Sequence, residues 1–232
     1  MQETPVEYSL DAPWGLREAL YGIVALIVIS AISNALLLAF LFLDDSPRIP
    51  AWALLLATLV LQVGLTASAV VLGPLHFRVS VAGLFGPVHL PIARLFGWGI
   101  GAVLLSITAT AVLVALVSQI SDRFVPKPLP VELDLESLRL LSFVSIVLIA
   151  PVVEEIFFRG FLFSSLARSL SVWSAAAVSS AIFAATHVDV ALLGPAFLSG
   201  IIFAGVYRKT GSLWPAILAH TAQNAIAFGL AT

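Results

Sequence analysis

Three charged residues interrupt a stretch that otherwise has the composition of a membrane span. Glu154, Glu155 and Arg159 fall between the uncharged run 140–153 and the apolar residues Phe161, Leu162 and Phe163. A charge at the centre of a bilayer costs about 2.5–3.5 kcal/mol on insertion scales, so such residues persist where they face a wet cavity or one another. His187, His220 and Asn224 share the anomaly, since they lie in later apolar runs. Glu155 and Arg159 are four apart, on one helix face, and can pair. Glu154 is turned by about 100° from Glu155 and can point elsewhere while its neighbour is held. Phe183 with His187, and His220 with Asn224, are also four apart. Three separate segments therefore offer carboxylates, an imidazole, and an imidazole with an amide. Brought together, they make a polar pocket inside the membrane.

Such a pocket suits hydrolysis of a peptide bond, which needs a nucleophile, a proton acceptor and a partner for developing negative charge. Serines and threonines are plentiful but none lies in a nucleophile motif, and there is no cysteine. A glutamate acting on water is the simpler base. Glu154, His187 and His220 are also an acceptable three-ligand zinc set that leaves a fourth position for water, with Glu155 then the base. Against this, the chain has no H-E-x-x-H helix and no sequence-local ligand pair. In the metal-free alternative the histidines donate hydrogen bonds to the oxyanion. Both readings stand at this point.

The structural alternatives are plain. Glu155 with Arg159 makes a buried ion pair that ties helices together, and a lone intramembrane histidine makes an interhelical hydrogen bond. His76 and His89 match no motif and read as interfacial. Trp14, Trp52, Trp98, Trp173 and Trp214 lie near span ends and read as interfacial anchors. Phe157, Phe158, Phe161 and Phe163 read as packing, and Asp189 as a solvated turn residue.

The elements that must position these groups follow from composition. Of 232 residues, 60% are hydrophobic and 10% charged, where soluble domains average roughly 25% charged. That excludes a soluble or disordered chain. Eleven basic residues against thirteen acidic ones give no basic stripe for nucleic acid. Runs free of charged residues cover 19–43, 49–77, 95–121, 140–153, 169–188, 190–207 and 210–232. The fourth continues past its charges, so it reads as one helix from about Asp134, a candidate N-cap, to Arg168. The fold class is all-α, a polytopic transmembrane bundle of about seven spans (six to eight). Residues 1–134 hold the N-terminal spans, and residues 135–232 the motif-bearing core, in one membrane domain. Residues 78–94 read as an interfacial or re-entrant piece and residues 122–139 as an aqueous loop. The polar, acidic N-terminus is not a signal peptide. Lys and Arg in short loops divide six to four in favour of a cytoplasmic N-terminus. If the source is prokaryotic, the membrane is the plasma membrane.

Pro151, one turn before the carboxylates, removes a helical hydrogen bond and predicts a kink. Gly160, Gly200 and Gly205 allow close helix approach. One tension appears in depth. At about 1.5 Å per residue, straight and symmetric spans leave Glu154 and His187 several ångströms apart. Tilt, the Pro151 kink or a protruding turn closes that gap.

The motifs resemble those of one family. Glu154–Gly160 (E-E-I-F-F-R-G) resembles the E-E-x-x-x-R motif of the CPBP family, the Rce1-type CAAX prenyl proteases and their bacterial relatives, also called Abi proteins. Phe183–His187 resembles its F-x-x-x-H motif and His220–Asn224 its H-x-x-x-N motif. The lead-in from Thr210 to His220 is similar too, and the resemblance covers about residues 135–229. It implies an intramembrane endopeptidase of membrane-associated peptides, lipidated or not. By that resemblance Glu154 activates water, His187, His220 and Asn224 position the water and steady the oxyanion, and Glu155 and Arg159 support the site. Rival readings are a non-enzymatic scaffold or bacteriocin-immunity protein and a small proton-coupled transporter. The expected partners are a peptide or lipidated-protein substrate and the bilayer, with oligomeric state unread.

Overall fold

The computed structural model describes residues 12–43, 51–86, 90–121, 123, 125, 138–187 and 189–231. Among the described residues all regular structure is helical. The helices are α1 (Leu16–Leu43), α2 (Ala51–Leu75), α3 (Ile92–Val117), α4 (Arg139–Ala167), α5 (Val172–Ala185), α6 (Val190–Thr210) and α7 (Trp214–Ala231). A short 3₁₀ turn, Val81–Phe85, lies between α2 and α3.

The expected bundle of about seven helices is present, but its members are unequal. Five helices, α1 to α4 and α6, are long and apolar enough to cross a membrane. With 14 residues, α5 spans about 21 Å, short of the roughly 30 Å hydrocarbon core. α7 carries His220, Gln223 and Asn224 and is not among the five. The most apolar windows of α1 and α3 are only 11% buried, against 44% for α4 and α6. Apolar side chains exposed on α1 and α3 suit lipid as solvent, and α4 is the central element.

α4 is not a regular α-helix. π-helical stretches at Val144–Ile149 and Ile156–Phe163 flank an α-helical turn, Ala150–Glu155. The kink expected from Pro151 is thus a widening of the helix immediately before it. Wide turns free backbone carbonyls, and neighbouring helices supply donors. Gln62 of α2 donates from Nε2 to the Ser145 carbonyl at 3.1 Å, and Asn224 of α7 donates to the Ile146 carbonyl at 2.9 Å. Ser179 of α5 donates to the Phe158 carbonyl at 2.8 Å. In hydrocarbon an unpaired carbonyl has no water to turn to, so these bonds make the distorted helix tenable.

One end of the bundle is closed by loops folding inward. Leu84 is 1% exposed, and its carbonyl oxygen lies only 2.6 Å from where a Cβ on Gly160 would sit. Gly160 therefore permits this close approach of the 81–85 turn to α4, as expected. Gly86 and Gly211 both have positive φ, 76° and 63°, and the Gly211 carbonyl lies where a Gly86 side chain would be. Next to that contact Leu213 N–H donates to the Phe85 carbonyl at 3.0 Å. Gly200 packs on Ser180 as expected. Gly205 does not: a Cβ there would meet no atom within 4 Å, so it is no helix contact.

Trp14 also departs from expectation. It is 2% exposed and packs on Phe77 and Phe161, each with ring centroids 6.4 Å away. It is a core residue, because the N-terminal segment folds onto the bundle, where Arg168 donates to the Ala12 carbonyl at 2.8 Å. Trp52, Trp98, Trp173 and Trp214 are exposed, as anchors require. Phe157, Phe158, Phe161 and Phe163 are buried packing residues. His76 is exposed, whereas His89, the Asp134 cap and most of the 122–139 loop lie outside the described residues.

Candidate active site

The site grows from the one α-helical turn of α4. Arg159 donates from Nη1 to Glu155 Oε1 at 2.8 Å, and the two side chains are 1% and 0% exposed. A buried pair is tenable when each charge finds further partners. Here the guanidinium carbon lies 4.6 Å from the Phe183 ring centroid and 5.5 Å from that of Phe203. Both distances are within range for attraction between a cation and a ring face.

His220, on α7, bridges the adjacent carboxylates. Its Nδ1 is 2.9 Å from Glu155 Oε1, and its Nε2 is 3.6 Å from Glu154 Oε2. The first is a hydrogen bond, which puts a proton on Nδ1. The second is longer than a hydrogen bond, and becomes a charge contact when His220 carries both ring protons. Glu154 retains 25% exposure where Glu155 has none. The rotation of about 100° between successive helical residues produces this division: one carboxylate is locked by Arg159 and His220, and the other faces an accessible surface.

His187 stands just beyond the C-terminus of α5. Its Nδ1 lies 3.1 Å from the Phe183 carbonyl. A carbonyl only accepts, so Nδ1 carries the hydrogen and Nε2 is left for other chemistry. The His187 and His220 ring centroids are 5.1 and 5.8 Å from that of Phe183, which bounds their separation at about 11 Å. Phe183 thus touches Arg159, His187 and His220 together. The depth tension closes because the C-terminal turn of α5 packs beside Phe158 and Arg159, one turn from Glu154 and Glu155. Asp189, expected as a turn residue, caps α6 by accepting from Ala191 N–H at 2.9 Å.

Asn224 is placed differently. One turn beyond His220, its amide nitrogen donates to the Ile146 carbonyl rather than to the carboxylates. The structure therefore gathers Glu154, Glu155, Arg159, His187 and His220 about Phe183, with Asn224 on the π-helical part of α4. Sequence reasoning passed over Phe203, whose ring packs tilted against His220 with centroids 5.6 Å apart, and Gln62. An amide inside the apolar run 49–77 was a visible signal for Gln62; Phe203 carried none.

Two buried polar atoms, Glu155 Oε2 and Arg159 Nη2, have no protein hydrogen-bond partner. Groups of this kind take water or substrate. Among the described residues no three His, Asp or Glu side chains are gathered closely enough to share a cation. Glu154, His187 and His220, weighed above as a zinc set, are not among such a group, although each histidine keeps Nε2 clear of its Nδ1 hydrogen bond.

The fold and the cluster define a polytopic helical membrane protein with an ionic site built on its central helix. The segment of residues 136–226 matches the family described as Type II CAAX prenyl endopeptidase Rce1-like. It contains all three motifs. A curated relative described as "Putative membrane peptidase YdiL", from Bacillus subtilis (strain 168), is 34% identical over 77 residues. That alignment spans 33% of this chain and 32% of the relative's length. No solved structure matches.

Proposed function

We propose that the protein is an intramembrane endopeptidase in which Glu154 activates water for attack on a peptide carbonyl. The observation that carries the proposal is His220 held between Glu154 and Glu155, with only Glu154 open to solvent. Glu154 takes a proton as the water oxygen bonds to the carbonyl carbon. His220, fixed at Nδ1 by Glu155, presents Nε2 beside Glu154 and, when doubly protonated, donates to the oxyanion. His187, fixed at Nδ1 by the Phe183 carbonyl, presents its Nε2 from the adjacent helix. As the C–N bond breaks, Glu154 returns its proton to the departing amine. Glu155 and Arg159 hold His220 in place, and Asn224 holds α4. No step runs through a metal. The substrate is a membrane-associated peptide, lipidated or not, reaching the cluster from the bilayer.

The test is product analysis by mass spectrometry in ¹⁸O water, with purified protein in nanodiscs and a panel of lipidated and unlipidated membrane peptides. Wild type is expected to release fragments with ¹⁸O in a new carboxyl terminus. Glu154→Gln is expected to lose about 10²–10⁴-fold in rate, the usual worth of a general base, while remaining folded. Equal product yields from both proteins would remove Glu154 from this role. Proton flux without peptide products would assign the cluster to transport.

A further inference from the structure

Away from the cluster, α3, α5 and α6 enclose an open groove of about 470 Å³ against Phe163 of α4. Its walls are apolar except at one end, where Arg208 and Lys209 stand in the last turn of α6. Two of its lining residues are glycines, Gly101 on α3 and Gly205 on α6. A Cβ on either would meet no atom within 4 Å, so both positions face open space and a larger side chain there would enter the groove. Trp98 and Trp173, 43% and 67% exposed, flank it. From Ile201 to Lys209 the α6 wall rises about 12 Å, close to the depth of the hydrocarbon in one leaflet.

We propose that this groove is a binding site for an anionic glycerophospholipid, one acyl chain lying along α6 and the phosphate meeting Lys209 and Arg208. Charge decides the occupant. A zwitterionic headgroup brings its own cation beside its phosphate and so gains little net attraction from Lys209 and Arg208, whereas each basic residue near a membrane surface contributes about 1 kcal/mol toward an anionic headgroup, a factor of about five. Exposed tryptophans belong at the same headgroup level. The groove shares no lining residue with the carboxylate cluster. Phe203, on another face of α6, faces His220 and Arg159 instead. The site is therefore separate from the peptide-cleaving reading and stands without it.

Tryptophan quenching by brominated lipids tests this on the full chain in phosphatidylcholine nanodiscs. The signal is the difference in emission between wild type and Trp173→Phe. Dibrominated phosphatidylglycerol is expected to quench it at a mole fraction at least about fivefold lower than dibrominated phosphatidylcholine. Lys209→Gln, at an exposed position, is expected to reduce that preference about fivefold. Gly205→Leu, which fills the groove without meeting backbone, is expected to abolish it. Equal quenching by both lipids, or a preference that survives both substitutions, would overturn the proposal. Loss of quenching on adding a lipidated peptide, with no headgroup preference, would give the groove to substrate and also overturn it.

Discussion

Glu154 and Glu155 are chain neighbours with opposite surroundings, and the difference is measurable. Glu155 is fully buried against Arg159 and His220. Removing either partner leaves a charge without its counter-ion, which costs about 3–5 kcal/mol in buried pairs. Glu155→Ala and Arg159→Met are each expected to lower unfolding stability in detergent by that amount, followed by circular dichroism. Glu154→Gln, on the open carboxylate, is expected to cost less than about 1 kcal/mol while removing activity. If Glu154→Gln proves the more destabilising, the division of labour between the two is wrong. The proposed mechanism, in which Glu154 alone activates water, leads to a second expectation. Cleavage by the purified protein is expected to survive exhaustive chelation, and loss of activity restored by zinc would refute it. The pairing of Glu155 with Arg159 was legible from spacing alone, because four residues is one helical turn. The Asn224 contact with Ile146 was not, since it depends on a carbonyl that a regular helix would have kept for itself.

The elements show where charge-free runs mislead. The run 169–188 has the length of a span, yet α5 stops at Ala185. Hydropathy does not register a helix end; caps do. Ser171 accepts from Ser174 N–H at 3.2 Å at the start of α5, and Asp189 caps the start of α6. Both residue types are favoured N-caps, so the hairpin and the placing of His187 in its turn were partly written in the sequence. The π-helical stretches of α4 were not, because their cost is offset by Gln62, Asn224 and Ser179 from three other helices. Glycines on two helices make a paired prediction. Gly160→Ala would push a Cβ to 2.6 Å from the Leu84 backbone oxygen, which a flexible side chain could evade but a backbone cannot. It is expected to cost about 1–3 kcal/mol, as overpacking does. Gly205→Ala meets nothing within 4 Å and is expected to be neutral or stabilising by up to about 1 kcal/mol through helix propensity. Thermal midpoints of the two variants, measured side by side, check the contrast.

At the scale of the whole molecule, three contacts collect one set of loops at one end. Arg168 bonds Ala12, Trp14 packs on Phe77, and Leu213 bonds the Phe85 carbonyl. Among the described residues, the order of the helices puts Arg17, Arg78, Arg94, Arg168, Arg208 and Lys209 at that end and Arg123 and Arg139 at the opposite one. The grouping is the one the sequence implied by counting spans, even though α5 is short, because a short helix that still reverses direction preserves parity. Which end faces the cytoplasm is then a question of charge, and excess Lys and Arg mark the cytoplasmic side. The end holding Ala12 and Arg168 is expected to be cytoplasmic. The chain has no cysteine, so single substitutions report without background. Ser169→Cys, in the exposed turn after α4, is expected to resist a membrane-impermeant maleimide in intact cells and to react after permeabilisation. Gln119→Cys, in the exposed turn after α3, is expected to react in intact cells. The reverse pattern would invert the topology and leave the internal geometry untouched. Reaction of both positions in intact cells would contradict their placement at opposite ends of the bundle.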